Sequence, residues 1–261
     1  GRDHTDGRGD WRRAIAEEKA GIIKPNSTLV LGETSRELRD VFLAEPSAGV
    51  FERGVHFDLT ANRVAVGGRA AELQGPHGRY DDVFIALHGA HQADNAVIAL
   101  AATEAFFASA LEDDVVREAF AAVKVPGRFE ILHRHPLVVL DAAHNPDGAL
   151  VATETLDEDF GVGRRRLLVF GLLQGRDIGE MLDALGADRA DVVIVCEAEW
   201  PRRIPAEDIA AVAAERGIVV EIVRPIEDAV QRAIALADPD DVVLVTGSNY
   251  VIGPARRALL E

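Results

Sequence analysis

Residues 125–147 read VPGRFEILHRHPLVVLDAAHNPD, and this stretch decides the fold. An apolar run ends at Asp141 and leads through a short loop to Asn145 and Pro146, which are residue types preferred at the start of a helix. A strand that runs directly into a helix presents polar groups at the carboxyl edge of a sheet. Arg128 precedes the hairpin sequence FEILHRHPLVVL, so we expect Arg128 and Asp141 to reach the same cleft.

Downstream of this stretch, apolar runs rich in β-branched residues alternate with helical segments. The sequence predicts strands at residues 137–140, 167–171, 192–195, 219–223 and 242–245, and helices at residues 146–156, 177–185, 205–216, 226–236 and 251–260. Strands that are apolar throughout and separated by helices are typical of a parallel sheet covered on both faces. We therefore predict a Rossmann-like α/β domain with a mostly parallel sheet, whose strand-end loops share one rim.

The first half of the chain has a less regular pattern. It predicts helices at residues 10–20, 35–44, 90–108 and 114–123, a strand at 29–31, and antiparallel hairpins between 54 and 87 with turns at NRV (62–64) and GGR (67–69). A helical wheel places Trp11, Ala14, Ile15, Glu18 and Ile22 on one face of the first helix. The third helix has apolar positions at Ile98, Ala99, Ala102 and Phe106. The Pro126–Gly127 pair is interpreted as a domain boundary, which divides the chain into residues 1–127 and 128–261.

Composition narrows the class of protein. The net charge of −16 argues against a nucleic-acid partner, because phosphates require a basic face. No apolar run approaches the roughly 20 residues of a membrane span, and we expect a cytoplasmic monomer that binds no membrane. The single cysteine, Cys196, ends an apolar run and is interpreted as a core residue rather than a reactive thiol.

Three dense clusters of polar and glycine residues follow one another along the chain. They are DH at residues 3–4 with EKAGIIKP at 18–25, HGAHQADNAVIAL at 88–100, and the PGRFE and LDAAHNP motifs of the stretch quoted above. In this order and spacing they resemble the folylpolyglutamate synthase/dihydrofolate synthase family of the Mur ligase superfamily.

The family begins with a phosphate loop of the GxxGKGS type, and no GK followed by Ser or Thr occurs in these 261 residues. We therefore interpret the chain as the carboxyl-terminal part of a longer ligase that lacks the P-loop. Residues 1–127 would belong to its central ATP-binding domain, and residues 128–261 to a Rossmann-like Mur ligase carboxyl-terminal domain.

The resemblance implies an ATP-dependent amide ligase of folate biosynthesis that uses Mg²⁺. ATP would phosphorylate a carboxylate of dihydropteroate or of a tetrahydrofolate tail, and L-glutamate would attack the acyl phosphate. Asn95, Arg128 and Asp141 match ATP-contacting positions of the family, and the planar fork of arginine suits phosphate. Lys19 matches a carbamylated lysine that supports the metal, and His4, 15 residues earlier, matches a magnesium ligand.

Three further residues match the cleft in which the family is thought to bind glutamate. These are His144, which is also a candidate catalytic group, together with Ser248 and Tyr250. Arg176 stands where the family usually has a lysine, which keeps the charge and changes the geometry.

The residues alone leave other interpretations open. Lys19 could be a surface lysine paired with Glu18, Arg128 could pair with Glu130, and Asn95 could face solvent. Another Mur-type ligase would share the DxxHNP motif and should lack the EKAGIIKP and HGAHQ blocks. A nicotinamide-dependent dehydrogenase would need a GxGxxG motif after a strand, and none is present. A non-catalytic remnant with a binding or scaffolding role is the third alternative.

Overall fold

The structure of the chain, a computed structural model, describes residues 11–161 and 164–261. The chain divides between Lys124 and Val125 into two compact units, which we call the amino-terminal unit and the carboxyl-terminal unit. No helix in the described ranges is long and apolar enough to cross a membrane.

The amino-terminal unit combines helices with two small sheets. Its elements are α1 (Trp11–Ala20), β1 (Thr28–Leu31), α2 (Arg36–Leu43), β2 (Gly49–Glu52), β3 (Asp58–Ala65), β4 (Gly68–Gln74), β5 (Arg79–Ile85), α3 (Ala90–Phe107) and α4 (Asp113–Ala122). Strands β1 and β2 pair in parallel, and β3, β4 and β5 form an antiparallel sheet in that order. The predicted hairpins are therefore present, although NRV (62–64) lies inside β3 rather than in a turn, and β2 was not predicted.

The apolar face predicted for α1 is wrong, and the apolar positions predicted on α3 are mostly exposed. The buried residues of α1 are Ala16 and Ala20, whereas Glu18 and Ile22 are exposed, the latter by 77%. On α3 the buried face contains Ala93, Ala96, Val97, Leu100 and Ala101, and Phe106 is 82% exposed. Alanine lies on nearly every side of α3, so the sequence pattern does not select the face that meets the sheet.

The carboxyl-terminal unit is built on one six-stranded sheet. Its elements are β6 (Glu130–Arg134), β7 (Leu137–Asp141), α5 (Pro146–Phe160), β8 (Arg166–Phe170), α6 (Ile178–Ala184), a 3-10 helix (Ala187–Arg189), β9 (Val192–Val195), α7 (Ala206–Glu215), β10 (Val220–Ile222), α8 (Ile226–Leu236), β11 (Val242–Thr246) and α9 (Asn249–Leu260). The strand order is β10-β9-β8-β11-β7-β6, and every pair is parallel except β6 with β7. The predicted α/β fold with a mostly parallel sheet is confirmed.

Burial on both faces explains why the strands are apolar throughout. All five residues of β11 are buried, and so are the first four residues of β7. Two apolar clusters cover the two faces of this sheet, one facing α5, α6 and α7 and the other facing α8 and α9. Because the strands are parallel, the loops after β7, β8, β9 and β11 all emerge at one edge, which is where α/β proteins bind ligands.

Candidate ligand site at the carboxyl edge of the sheet

A pocket of about 310 Å³ lies at this edge of the carboxyl-terminal unit. Loops that follow four of the parallel strands line it together with the first turn of α9. Its polar and aromatic lining includes His144, Arg176, Trp200, Arg202, Ser248 and Tyr250. The structure thus brings together in one pocket the three residues that were expected to bind glutamate. The volume of this pocket is at the lower end for small-molecule sites.

Ser248 stands out in the pocket because its hydroxyl group is buried and unpaired among the described residues. The residue is 4% exposed, and its hydroxyl is buried without a hydrogen-bond partner in the described part of the chain. It occupies the N-cap position of α9, yet the hydroxyl accepts no bond from the helix. An unpaired buried hydroxyl costs about 1–3 kcal/mol, so it calls for a partner that only a ligand or water can supply. The first turn of α9 adds backbone N–H groups and the positive end of the helix dipole.

Backbone contacts at Gly247 join the loops after β7, β8 and β11 beside Ser248. The Gly247 N–H donates to the Ala143 carbonyl (3.1 Å), and the Gly171 N–H donates to that of Thr246 (3.4 Å). Gly247 has φ +117°, and the carbonyl group of Gly171 occupies the space that a Cβ would need. Three strand-end loops therefore approach so closely that only glycine fits at position 247.

The loops after β8 and β9 are joined along one side of the pocket. The Gln174 N–H donates to the Arg202 carbonyl (2.7 Å), and the Ile204 N–H donates to that of Leu172 (2.9 Å). Glu197 fixes the base of the second loop, because its carboxylate accepts from the Ala206 N–H at 3.0 Å. This backbone bond, more than the nearby arginines, keeps the pKa of Glu197 below its ordinary value.

Arg202 and Arg203 are neighbours with different surroundings. The Nε of Arg203 donates to Glu197 at 3.0 Å, outside the pocket lining. The side chain of Arg202 lines the pocket and forms no ion pair with any residue in the described ranges. Across the pocket, the rings of Trp200 and Tyr250 stack with centroids 4.5 Å apart and an interplanar angle of 29°.

His144 presents a defined ring nitrogen. Its Nδ1 lies 2.9 Å from the Ala142 carbonyl oxygen, which can only accept a hydrogen bond. Nδ1 is therefore the protonated nitrogen of the neutral ring, and Nε2 carries the lone pair. A histidine in this tautomer can accept a proton or a hydrogen bond through Nε2.

Asp141 connects the end of β7 to the segment that carries Arg128. One carboxylate oxygen accepts from the Phe129 N–H (2.9 Å) and the other from the Ala143 N–H (2.8 Å). Phe129 has φ +46°, an unfavourable conformation for a residue with a Cβ, and the bond to Asp141 stabilises it. Asp141 and Arg128 therefore lie on adjoining segments at the same end of β7, and their meeting in one cleft stays a prediction.

The guanidinium of Arg128 does not pair with Glu130. The Glu130 carboxylate instead accepts from Arg256 at 2.9 Å and from the Gly127 N–H at 2.9 Å. Arg128 itself is exposed, and none of the described residues forms an ion pair with its side chain. It is available for an anion at this edge of the sheet.

We expect Asp141→Ala to destabilise the carboxyl-terminal unit by about 2 kcal/mol, since two backbone N–H groups lose a charged acceptor. Urea unfolding followed by circular dichroism measures the loss. Glu154→Ala, an exposed change on α5, is the control and should alter the unfolding free energy by no more than about 0.5 kcal/mol. Equal effects of the two substitutions would show that Asp141 does not hold the segment.

Asn95 lies on α3 in the amino-terminal unit and is exposed. Its Nδ2 donates to Gln92 Oε1 at 3.3 Å, which is a long and therefore weak hydrogen bond for the side-chain amide. The expected role in binding ATP stays a prediction.

The expected metal site falls partly outside the described residues. His4 lies in the segment that the structure does not describe. Lys19 is exposed, and its ammonium group bonds to Glu18 at 2.9 Å, as one of the alternative interpretations has it. Residues 11–161 and 164–261 contain no group of three or more His, Cys, Asp or Glu side chains that could hold a metal ion. The carbamylation of Lys19 and the magnesium ligand role of His4 stay predictions.

Cys196 is confirmed as a core residue. Its side chain is fully buried at the end of β9, and burial raises the pKa of the thiol to about 12.

Sequence reasoning did not single out Trp200 and Arg202. A signal was available, because WPRR begins five residues after the predicted strand at 192–195, in a loop at the edge where strand-end loops collect.

Comparison with known proteins identifies the class to which this site belongs. Residues 127–249 match the family model described as Mur ligase, glutamate ligase domain. Over these residues, the carboxyl-terminal unit is therefore similar to the glutamate ligase domain of the Mur ligases. Over nearly its whole length, the chain is moreover a homologue of the dihydrofolate synthases and folylpolyglutamate synthases, which confirms the resemblance drawn from its motifs.

The relatives define how far this homology extends. The dihydrofolate synthase/folylpolyglutamate synthase of Mycobacterium tuberculosis is 37% identical over 97% of this chain and 58% of its own length. The structure of the M. tuberculosis folylpolyglutamate synthase complexed with ADP and AMPPCP gives a TM-score of 0.91 at 37% identity, covering 100% of this chain and 62% of that one. A bifunctional synthase solved with Mn, AMPPNP and L-glutamate bound gives 0.81 at 26% identity, covering 99% and 60%. The chain thus spans about three fifths of these relatives.

Proposed function

We propose that this chain is part of an ATP-dependent ligase that joins L-glutamate to a folate, to dihydropteroate, or to both, through an acyl phosphate. The observation that carries the proposal is the buried, unpartnered hydroxyl of Ser248 in a pocket with arginines. The pocket lies within a glutamate ligase domain, and one structural relative was solved with L-glutamate and a nucleotide analogue.

The pocket has the groups that an incoming amino acid requires. We place a carboxylate of glutamate at the hydroxyl of Ser248, where the first N–H groups of α9 and the helix dipole favour negative charge. Arg176 adds positive charge from the loop after β8. The Nε2 lone pair of His144 can accept a proton from the amino group of glutamate, which must be neutral to attack.

The proposed reaction proceeds in two steps. The terminal phosphoryl group of ATP is transferred to a carboxylate of the folate or pteroate substrate, which gives an acyl phosphate and ADP. The glutamate nitrogen then attacks the acyl carbon, the bond to the phosphate breaks, and inorganic phosphate leaves as the amide forms. The proton lost by the nitrogen passes to His144 or to solvent.

We assign nucleotide binding to Arg128, Asp141 and Asn95. The exposed Arg128 guanidinium suits a phosphate, because it donates several bonds at once and keeps its charge. Two backbone N–H groups hold the carboxylate of Asp141 at the strand end, and a carboxylate is a hydrogen-bond acceptor of the kind that a ribose hydroxyl requires. Asn95 would contribute an amide from α3.

Magnesium would bind at His4 and at a carbamate on Lys19. A carbamate forms only on a neutral amine, and its oxygens are the ligand type that Mg²⁺ prefers. Bound Mg²⁺ would neutralise charge on the transferring phosphoryl group. In the structure the Lys19 ammonium pairs with Glu18, so carbamylation would require it to lose a proton and leave this partner.

Incorporation of labelled L-glutamate by the complete gene product, assayed with ATP and either dihydropteroate or tetrahydrofolate, tests the proposal. Product with one substrate assigns one activity, and product with both assigns both. No product with either would exclude the proposed reaction and favour a non-catalytic remnant.

We expect Ser248→Ala to raise the KM for glutamate about tenfold or more, since a hydrogen bond to a charged group is worth about 1.5–3 kcal/mol. The KM for ATP should stay within about twofold. Thr103→Ala removes a hydroxyl that bonds only within α3, and it should change neither constant. An unchanged KM for glutamate in Ser248→Ala would show that the hydroxyl does not meet the amino acid.

A second candidate is a ligase of peptidoglycan synthesis. The chain is 30% identical, over 77% of its length and 41% of the relative, to the UDP-N-acetylmuramoyl-L-alanyl-D-glutamate--2,6-diaminopimelate ligase of Corynebacterium glutamicum. Replacing glutamate by diaminopimelate in the same assay, with the muramoyl dipeptide as acceptor, separates the two. The greater coverage by the folate enzymes makes glutamate the expected substrate.

A further inference from the structure

The stacked rings of Trp200 and Tyr250 join two sides of the pocket that the sheet does not connect directly. Trp200 lies in the loop after β9, and Tyr250 lies in the first turn of α9 after β11. Since β8 separates β9 from β11 in the sheet, these loops start two strands apart. The 4.5 Å contact between the ring centroids therefore sets the distance between them.

Each ring lies two residues away from a group that can bind a carboxylate. Ser248, with its unpartnered hydroxyl, lies two residues before Tyr250, and Arg202 lies two residues after Trp200. The backbone of Arg202 is itself fixed, because its carbonyl accepts from the Gln174 N–H at 2.7 Å. The pocket thus has an anion site at the start of α9 and a guanidinium on the loop after β9, held apart by one aromatic pair.

The charge environment favours a ligand at Arg202. The adjacent Arg203 is bound by Glu197. Arg202 is not engaged in this way within the described ranges, although it lines the pocket. A guanidinium is well suited to a carboxylate, which it can bind through two parallel hydrogen bonds.

We propose that the Trp200–Tyr250 stack sets the length of the amino acid that the pocket accepts, with one carboxylate at Ser248 and the other at Arg202. An amino acid of the length of glutamate then fits better than aspartate, and its second charge distinguishes it from glutamine. This inference rests on the proposed binding of glutamate in the same pocket.

Nuclear magnetic resonance of the 261-residue chain gives a direct test. The sequence has two tryptophans, so Trp11→Phe leaves one indole N–H signal, that of Trp200. Titration with L-glutamate should shift this signal and the backbone amide of Tyr250 together, with a single dissociation constant. L-aspartate and L-glutamine should each bind about tenfold more weakly.

Two substitutions separate charge from spacing. Arg202→Gln should weaken glutamate binding about tenfold or more and leave glutamine within about twofold, whereas the matched control Arg203→Gln should leave both unchanged. Trp200→Ala, followed through the amide of Tyr250, should reduce the preference for glutamate over aspartate to within about twofold. Trp200→Phe keeps a stacked ring and should retain the preference.

The outcomes distinguish this inference from the proposed function. If none of the three amino acids shifts either signal, the proposed glutamate site fails and the inference fails with it. If glutamate binds but Arg202→Gln and Arg203→Gln behave alike, or Trp200→Ala keeps the full preference, the site stands and the role of the stack and of Arg202 is refuted.

Discussion

Gly247→Ala is expected to lower the free energy of unfolding of the carboxyl-terminal unit by about 3 kcal/mol or more, and to abolish glutamate binding. Position 247 has φ +117°, a region that residues with a Cβ scarcely adopt. A methyl group there would overlap the carbonyl oxygen of Gly171 and lie 3.0 Å from its carbonyl carbon, and a backbone cannot rotate away as a flexible side chain can. Relieving this overlap requires the loops after β8 and β11 to separate, and this separation moves Ser248.

Chemical unfolding and the amide signal of Tyr250 measure the two effects of Gly247→Ala. Gly49→Ala is the matched control, because a Cβ at Gly49 meets no atom within 4 Å and its φ is not positive. It should change the unfolding free energy by less than about 0.5 kcal/mol. If Gly247→Ala were as mild as Gly49→Ala, the close approach of the loops would not be a property of the molecule in solution.

The parallel sheet was predictable because its signal is local and strong. Runs such as residues 137–140 and 242–245 are apolar at every position, which only burial on both faces explains. The small parallel pair of β1 and β2 was missed, because β2 is a four-residue strand of half-buried residues without such a signal. β2 forms by pairing with residues 21 positions earlier in the chain, which the sequence of β2 does not encode by itself.

The site was predictable where a motif marks it and not where only the topology does. His144, Ser248 and Tyr250 were found from motifs, and the structure brings them to one pocket. Trp200 and Arg202 join them because β9 lies next to β8, and because two backbone bonds join the following loops. Strand order depends on pairing between distant parts of the chain, so the sequence WPRR alone does not predict which loop these residues will contact.

The buried faces of the helices are the feature of the fold that the sequence predicts least well. On α1 the wheel was built around the large residues Trp11 and Ile15, which are only partly buried, whereas the small residues Ala16 and Ala20 face the core. Close packing against α2 favours small side chains, and a hydrophobic scale ranks them below the large ones. The conflict between side-chain size and hydrophobicity explains the error.

Glu104→Ala is expected to destabilise the amino-terminal unit by about 3 kcal/mol. Glu104 is fully buried on α3, and its carboxylate accepts from the Tyr80 hydroxyl at 2.6 Å and from the His77 N–H at 2.7 Å. Removing it leaves both donors short of an acceptor and opens a cavity in the core. A Cβ at Gly75 or Gly78 would collide with the Glu104 carboxylate or the Tyr80 hydroxyl, so the turn that contains these glycines already packs tightly against the network. This turn therefore cannot easily move to fill the cavity.

The same network gives stability a distinct dependence on pH. Burial, together with the bond to Glu104, raises the pKa of Tyr80 to about 12 from an ordinary value of 10.0. Because the folded state favours the protonated phenol, this contribution is complete below pH 10 and is lost as the pH rises from about 10 to about 12. Its size is at most about 3 kcal/mol, from two pKa units at 1.36 kcal/mol each.

Tyr80→Phe isolates that dependence. It should lower stability by about 2 kcal/mol at pH 7, less than Glu104→Ala, because the bond to Glu104 and the bond from the Leu111 N–H are lost while the ring still fills its place. Between pH 10 and 12 the wild-type chain should lose stability faster than Tyr80→Phe, as measured by chemical unfolding at each pH. Other groups titrate in this range in both proteins, so only the difference between them reports on Tyr80. Parallel curves would mean that the phenol does not titrate as part of this buried network.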